Sequence, residues 1–545
     1  MKKLQLRTGI PVGAFLSASL TAIMYLAYQL AGLPYVPFDF FDWMTRVLPG
    51  PVVTFGIDLM IDTMLWLGIN VADSAKTAEQ IIAVLQFFIG GTIAGTLFYA
   101  VLSIRKIKPD FIAGLVMAAL FGLPFIAISA VIGESKLNPI IQILWLIVLF
   151  TSWGIVLSWS YRQFMKTPLQ ITAEDKKPEA TVKRIDRRRF IIQLGTAAAT
   201  ITVIGAGVGE FLSVNKKRKL DKKLMESMAH STEGGSLKSF PNQDDPVMPA
   251  PGTRPEYTPV KDHYKVFIRT QPTIIDGSAW KLPITGLVEN SLMLSLDDLK
   301  KNYTPFARYV TISCISGKVG TGLIGTTLWT GARLKNVLAD AKIKPEAKYL
   351  YITSGDGFYE TLELEQLEKD DRIMLCYAWD GHDLPHEHGY PLRIWIPDRY
   401  GMKQPKWITG LEVPNTYKPG YWVERKWDKK AQVKATSVID TVAVKALVDK
   451  GNKILVPVGG IAYSGARGIS NVEVRVNNGS WQPSKLRAPL SNTTWVIWYF
   501  EWPFEKGEYT FEVRCTEADG TRQIEEKHPS RPSGSTGLHS KTIKI

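Results

Sequence analysis

Four apolar runs, each about 20 residues long, fill the first third of the chain and limit what it can fold into. They lie at roughly Gly9–Leu30, Ile81–Ile104, Phe111–Ile132 and Ile140–Trp159. A helix of that length closes its backbone hydrogen bonds internally and presents apolar side chains all round, which suits a hydrocarbon core. A fifth stretch, Pro51–Val71, is also apolar but carries Asp58 and Asp62 one helical turn apart. Charges at mid-bilayer are costly, so the basic residues provide the test. Lys2, Lys3 and Arg7 assign the N-terminus to the cytoplasm. If Pro51–Val71 does not cross, the Arg105/Lys106/Lys108 loop and the basic stretch Arg162–Arg189 both fall inside; if it crosses, both fall outside. The sequence therefore predicts that Pro37–Val71 is an amphipathic or re-entrant piece on the outer face. The alternative places Asp58 and Asp62 on an ion or proton path.

Next comes Asp186-Arg187-Arg188-Arg189-Phe190-Ile191, followed by a soft Ala/Gly/Thr-rich run to Leu212. Two arginines, a variable residue and two bulky hydrophobics resemble a twin-arginine export signal, here internal and uncleaved. The plainer alternative is a last helix with a basic cytoplasmic flank. Nine basic residues precede this run within Arg162–Arg189 and six follow it by Lys223, a balance that favours export. The same runs account for much of the net charge of +14, so the charge reads as membrane topology and contact with lipid rather than nucleic-acid binding. Three cysteines exclude a disulfide scaffold. All seven histidines lie at His230 or later, so no span offers paired imidazoles for a b-type haem. No Cys-x-x-Cys-His run offers a c-type site either, and no haem is expected.

Residues 214–260 are polar and rich in Pro and Gly, and read as a tether. Short strands and helices follow. Trp280–Val288 alternates like a strand, Ser295 caps a helix through an acidic first turn, Tyr309–Cys314 reads as a strand, and Trp329–Leu338 turns into another helix. Cys314 ends its strand and opens a loop containing Gly317, Gly320, Gly322 and Gly325. That position suits a soft metal ligand or a nucleophile, and also a satisfied core cysteine. Cys376 and Cys515 lie in apolar or alternating runs and read as core. His382, His386 and His388 share one loop, without zinc-site spacing.

Several blocks then become recognisable together. Thr311-Ile-Ser-Cys314-Ile-Ser-Gly317, Leu328–Leu338, Ser354–Tyr359, Leu375–Pro385, His388–Pro397 and Tyr400–Trp407 resemble, in order and spacing, the molybdopterin domain of the sulfite oxidase superfamily. The resemblance implies a molybdenum–molybdopterin cofactor, with Cys314 as the protein thiolate on the metal and a catalytic residue. It implies His388, Arg393 and Lys406 as pterin contacts, with Lys403 a fourth. Upstream, Arg269 matches a cofactor-binding and catalytic arginine, and Thr270 stands beside it. The alternating strands of Val442–Ile545 suggest an antiparallel sandwich, and Gly460–Gly465, Asn478–Trp481 and Asp519–Gln523 resemble the family's immunoglobulin-like dimerisation domain. A homodimer through that domain is the corresponding expectation.

The expected fold is thus multidomain. A transmembrane helical module (1–165), a basic cytoplasmic linker (166–188), a signal-anchor helix (189–213) and an extracytoplasmic tether (214–260) lead to an α+β molybdopterin domain (261–440). An all-β immunoglobulin-like sandwich (441–545) completes it. After Cys314 the family's paired arginines are replaced by Lys318 and Val319, and its active-site tyrosine by Trp427, with Tyr421 a candidate substitute. Sulfite, a dianion, wants several arginines, so this thinner pocket suits an S-oxide as well as sulfite. The expected protein is a multi-pass cell-membrane oxidoreductase with its catalytic domain outside. It performs two-electron oxygen-atom transfer on a small S-oxo substrate, and its partner is a separate electron-transfer protein or a quinol-linked membrane protein. Two other classes are a transporter or sensor with a ligand-binding outer domain, marked by Asp58 and Asp62, and an adhesion module with an idle core.

Overall fold

The apolar runs form helices. The computed structural model describes residues 2–69, 71–105, 110–133, 135, 137–166, 187–230, 240–451 and 453–544. Among the described residues, five helical stretches are long and apolar enough to cross a membrane by length and composition: Thr8–Ala31, Ser74–Ile104, Phe111–Ile132, Pro139–Phe164 and Arg189–Lys216. Each overlaps one of the four expected apolar runs or the run 189–213, the second beginning at Ser74 rather than Ile81 and the fourth ending at Phe164 rather than Trp159. The basic linker lies outside the described residues from 167 to 186. The helix that begins at Arg187 continues to His230, so the first part of the expected tether is helical.

Two compact units divide the chain, one of residues 1–48 and 77–223, the other of residues 49–76 and 224–545. Within the first unit, small residues let helices approach closely. A Cβ on Gly95 would lie 2.8 Å from the Gly13 Cα, and one on Gly114 2.7 Å from the Gly154 carbonyl oxygen. Around these contacts Val12, Met24, Tyr99, Phe150 and Leu157 form the core, while Leu120 and Val131 point outward, exposed.

The second unit contains the helix Gly50–Trp66 together with the two expected soluble domains. In the first domain a five-stranded sheet runs in the order Leu292–Ser295, Lys281–Gly286, Ile408–Val413, Tyr349–Ser354, Tyr359–Glu363. Lys281–Gly286 and Ile408–Val413 pair in parallel, and the other neighbours are antiparallel. A second sheet joins Phe306–Ser313, Ile324–Arg333, Met374–Trp379 and His382–Asp383, with Arg393–Trp395 also on Met374–Trp379. Leu282, Ile284, Val337, Leu350, Ile352, Leu375 and Ile394 are fully buried in the core that these sheets share. Each contributes about 1.5–3 kcal/mol relative to exposure.

Ser295 caps the helix Leu296–Asn302 in a complete capping box with Asp298. The helix expected from Trp329 begins instead at Leu334. Trp329–Arg333 is strand, because Trp329 pairs with Arg308 on one side and Trp379 on the other. Two antiparallel sheets form the C-terminal sandwich. One orders Thr436–Val442, Ile454–Tyr463, Val496–Pro503 and Lys485–Leu486; the other orders Gln482–Pro483, Ile469–Val476, Glu508–Glu517 and His539–Lys544. Val456, Val458, Trp498, Val472, Val474 and Phe511 fill the space between them. Its first strand, Thr436–Val442, spans the expected boundary at 440/441. The latter part of the expected tether is fastened to the domains. Arg254 pairs with Asp440 at 2.6 Å, and Arg487 Nε donates to Glu256 at 2.9 Å.

Candidate functional site

The antiparallel pair Phe306–Ser313 and Ile324–Arg333 ends where Cys314 begins its loop. The Cys314 N–H donates to the Leu323 carbonyl at 2.9 Å and its own carbonyl accepts from Gly317 at 3.1 Å, which fixes the side chain's position. Its Sγ lies 3.1 Å from Ser316 Oγ. Burial raises the thiol, while Ser316 and the Lys406 charge draw it back toward the thiolate. Cys376 and Cys515 are buried in strands, and burial pushes both thiols up to about 12.

Beside this loop, three expected pterin contacts come together. His388 and Arg393 are buried, and the Arg393 Nη1 donates to the His388 carbonyl at 3.2 Å. The guanidinium stands 4.2 Å from the centre of the Trp329 ring, so a fully buried indole supplies its face. The His388 ring packs 4.5 Å from Trp379 and 5.4 Å from His263. Lys406 donates to the Glu387 carbonyl at 3.1 Å. Gly389, at φ +114°, permits this approach, since a Cβ there would lie 3.0 Å from the Lys406 Cβ and 3.2 Å from that of Arg393.

The electrostatics of this cluster are unbalanced. Burial pushes the Lys406 ammonium well below the usual lysine range, and Arg393 pushes it further. Burial also lowers the Arg393 guanidinium to about 10, and it holds both His388 and His263 neutral, His263 down to about 3. Arg393 Nε and His388 Nε2 are buried and have no hydrogen-bond partner among the described residues. A buried guanidinium N–H without a partner beside crowded cations is costly, and a bound anion relieves that cost.

Arg269 joins from the preceding segment, its Nε donating to the Asp356 carbonyl at 3.0 Å. Thr270 beside it is buried. Lys403, expected as a fourth pterin contact, stands in a buried ion pair. Its ammonium pairs with Glu360 at 2.5 Å, with both side chains almost wholly buried, so its charge is already engaged. Lys318, in the Cys314 loop, is exposed and pairs with Asp62 of the helix Gly50–Trp66. Tyr421 is buried against Phe358 and Tyr359, under the Arg425 guanidinium, and Trp427 is buried against Trp422. The His382/His386/His388 loop does not converge: His382 lies on a short strand and the His386 ring packs on Tyr390. Among the described residues, no three His, Cys, Asp or Glu side chains form a metal-ligand set.

The sequence reading missed His263, the Trp329/Trp379 pair and the role of Asp356. Asp356 is buried and accepts the Phe358 N–H at 2.9 Å, and burial raises its carboxyl while Lys406 and Arg269 lower it. No local spacing marks these residues, because each acquires its neighbours through strand pairing.

A strand-end thiol next to a neutral-histidine and cation cluster is the donor set of a protein that binds an anionic, soft-metal cofactor. Residues 269–422 match the oxidoreductase molybdopterin binding domain family. The uncharacterized oxidoreductase YuiH of Bacillus subtilis (strain 168) is 31% identical over 151 residues, covering 28% of this chain and 73% of that protein. Mitochondrial sulfite oxidase of Macaca fascicularis is 26% identical over 289 residues, covering 45% of this chain and 53% of that one. A putative protein-methionine-sulfoxide reductase subunit YedZ1 of Azospira oryzae is 28% identical over 156 residues, covering 28% of this chain and 56% of its own. The chain thus spans about half the length of the sulfite oxidase. The chain belongs to the oxidoreductase molybdopterin binding domain family, within the sulfite oxidase superfamily. Residues 269–422 are a molybdopterin-binding oxidoreductase domain, and the residues present fit that cofactor: a thiol for the metal, and a buried guanidinium N–H with crowded cations for an anionic pterin tail.

Proposed function

We propose that the protein is a membrane-anchored, extracytoplasmic oxidoreductase that reduces an S-oxide. A sulfoxide accepts two electrons and two protons and leaves as the thioether and water, the electrons coming from a separate protein carrier or a quinol-linked membrane partner. The bound cofactor supplies the two-electron oxygen-atom chemistry. Cys314 would hold the metal, and His388, Arg393, Lys406, Arg269 and Thr270 would hold and orient the pterin. The immunoglobulin-like sandwich would pair two copies.

The ion pair of Lys318 with Asp62 carries the choice of substrate. Lys318 is the cation of the Cys314 loop, standing where relatives of the resemblance place arginines, and a carboxylate already balances it. A dianion such as sulfite gains little from a cation so engaged, whereas a neutral S-oxide needs no net charge. The methionine-sulfoxide reductase relative makes the same direction of reaction reasonable.

Steady-state assays on the detergent-solubilised, cofactor-loaded protein test this. Methionine sulfoxide would be supplied with a reduced viologen dye, and sulfite with ferricyanide. We expect kcat/KM for the sulfoxide to exceed that for sulfite by about tenfold or more, the discrimination that roughly 1.4 kcal/mol supplies. A preference for sulfite would overturn the assignment.

A further inference from the structure

We propose that the helix Gly50–Trp66, which lies outside the family-matched residues, is a substrate-recognition element of the Cys314 site. In it Asp62, acting through Lys318, is a specificity-determining residue that cancels the attraction the Cys314 loop would otherwise exert on anions. The proposal rests on the S-oxide reading above and narrows it to S-oxides without net negative charge. Helix and loop belong to the same compact unit.

The helix is seated at two places. At its start, a Cβ on Gly50 would lie 2.9 Å from the Arg425 carbonyl oxygen and 3.0 Å from the Arg425 Cα, so the missing side chain lets the backbones come that close. Farther along, Asp62 pairs with Lys318, about 18 Å from Gly50 at 1.5 Å per helical residue. Both seats belong to one wall. Ile315 and Val319 of the Cys314 loop pack in the same apolar cluster as Trp422 and Trp427. The Arg531 guanidinium stands 5.6 Å from the centre of the Trp427 ring and donates to the Arg425 carbonyl. The loop is two consecutive turns, the Gly317 N–H donating to the Cys314 carbonyl at 3.1 Å and the Thr321 N–H to the Lys318 carbonyl at 3.0 Å. The Lys318 backbone is thereby held next to the thiol's turn, while its ammonium reaches the helix.

What the helix brings is charge. Asp58 and Asp62 lie one turn apart on one face. Partial burial and then the Asp62 charge raise the Asp58 carboxyl, and Lys318 and Arg531 lower it, so the four groups feel one another. Two carboxylates, Asp58 and Asp62, thus stand against two cations, Lys318 and Arg531, and the quartet sums to zero. About half of each side chain in the Lys318–Asp62 pair is exposed, so the pair contributes little to stability. Its main consequence is the field that an incoming molecule meets. Without Asp62 the loop would present an unbalanced ammonium and favour anions.

The test uses the full chain, detergent-solubilised and cofactor-loaded, with a reduced viologen dye as electron donor. Values of kcat/KM are compared for a neutral sulfoxide (dimethyl sulfoxide), an anionic one (methylsulfinylacetate) and a cationic one (2-(methylsulfinyl)ethylammonium). We expect Asp62→Asn to raise the anionic-to-neutral ratio about 3–10-fold, the effect of one unit charge a few ångströms away in water-like surroundings, and to lower the cationic-to-neutral ratio similarly. Lys318→Met should move both ratios the other way, and the double variant should return them to the wild-type values. The shifts should shrink as salt is added, which a merely structural role would not produce. Unchanged ratios in Asp62→Asn would overturn the proposal. A salt series on wild type alone guards against variants that fail to fold. A balanced quartet predicts an anionic-to-neutral ratio that barely changes with salt, and a ratio falling more than about threefold between low and physiological salt would reveal an unbalanced cation and overturn the proposal. Wild type that reduces none of the sulfoxides yet oxidises sulfite would instead overturn the S-oxide reading. The charge claim is then read on sulfite, whose kcat/KM must rise in Asp62→Asn, and no rise would overturn it as well.

Discussion

The buried pair of Glu360 and Lys403 separates a role in the fold from a role in the cradle. The Lys403 ammonium donates to Glu360 Oε1 at 2.5 Å, and that oxygen also accepts the Thr361 N–H at 2.7 Å. Only 6% of the Lys403 side chain and 1% of that of Glu360 are exposed, so water cannot solvate either charge if its partner is removed. Burial raises the Glu360 carboxyl and the Lys403 charge lowers it, as expected of a pair desolvated together. Glu360→Leu leaves an ammonium in the interior without an anion, which costs about 3–5 kcal/mol. At about 2–4 °C per kcal/mol for a domain of this size, the unfolding midpoint drops by roughly 6–20 °C. Adding Lys403→Met replaces both charges with apolar groups and recovers most of that loss.

The assay is thermal unfolding of cofactor-free protein in detergent, followed by tryptophan fluorescence, so that ligand binding does not contribute. Molybdenum per folded chain is then measured on loaded samples, and the double variant should match wild type. An unchanged midpoint in Lys403→Met together with lost molybdenum would place Lys403 in the cradle and refute the reasoning.

Asp380 sits in a turn with Gly381, both at positive φ, and burial raises its carboxyl to about 7, above the value of about 3.9 in an unfolded chain. The folded state therefore binds more protons between about pH 4 and 7, and stability falls as pH rises through that window. Asp380→Asn should raise the unfolding midpoint at pH 8, by up to about 4 kcal/mol in stability, and change little at pH 4. Arg393→Met should act with opposite signs in two preparations. It removes a buried guanidinium whose Nε has no partner among the described residues, so cofactor-free protein gains thermal stability, while loaded protein releases its cofactor about 10–100-fold more readily. Ser295→Ala removes the capping box and should cost about 1 kcal/mol in a denaturant titration, without changing molybdenum content.

Local signals in the sequence were sufficient for features whose causes are local. The long apolar helices follow from apolar length, the Leu296–Asn302 helix from Ser295 and its acidic first turn, and the Cys314 position from a strand running into a glycine-rich loop. Features that depend on distant partners were not legible. Lys403 finds Glu360 across 43 residues, and Lys76 reaches Phe267 across 191. Trp329–Arg333 carries a pattern that also suits a helix start, and only its pairing with Arg308 and Trp379 makes it strand. Asp62 looked out of place in an apolar segment because its partner, Lys318, lies 256 residues onward. The stretch from 240 to 260 reads as a tether by composition, yet Arg254 and Glu256 anchor it through Asp440 and Arg487.

The most direct test of the central claim is the molybdenum environment in wild type and Cys314→Ser, measured on detergent-solubilised protein by elemental analysis and X-ray absorption. Near-stoichiometric molybdenum in wild type, with a sulfur shell that loses one ligand in Cys314→Ser, is the predicted result. A sulfur shell unchanged by the substitution, or wild type devoid of molybdenum despite ample cofactor supply, would contradict it.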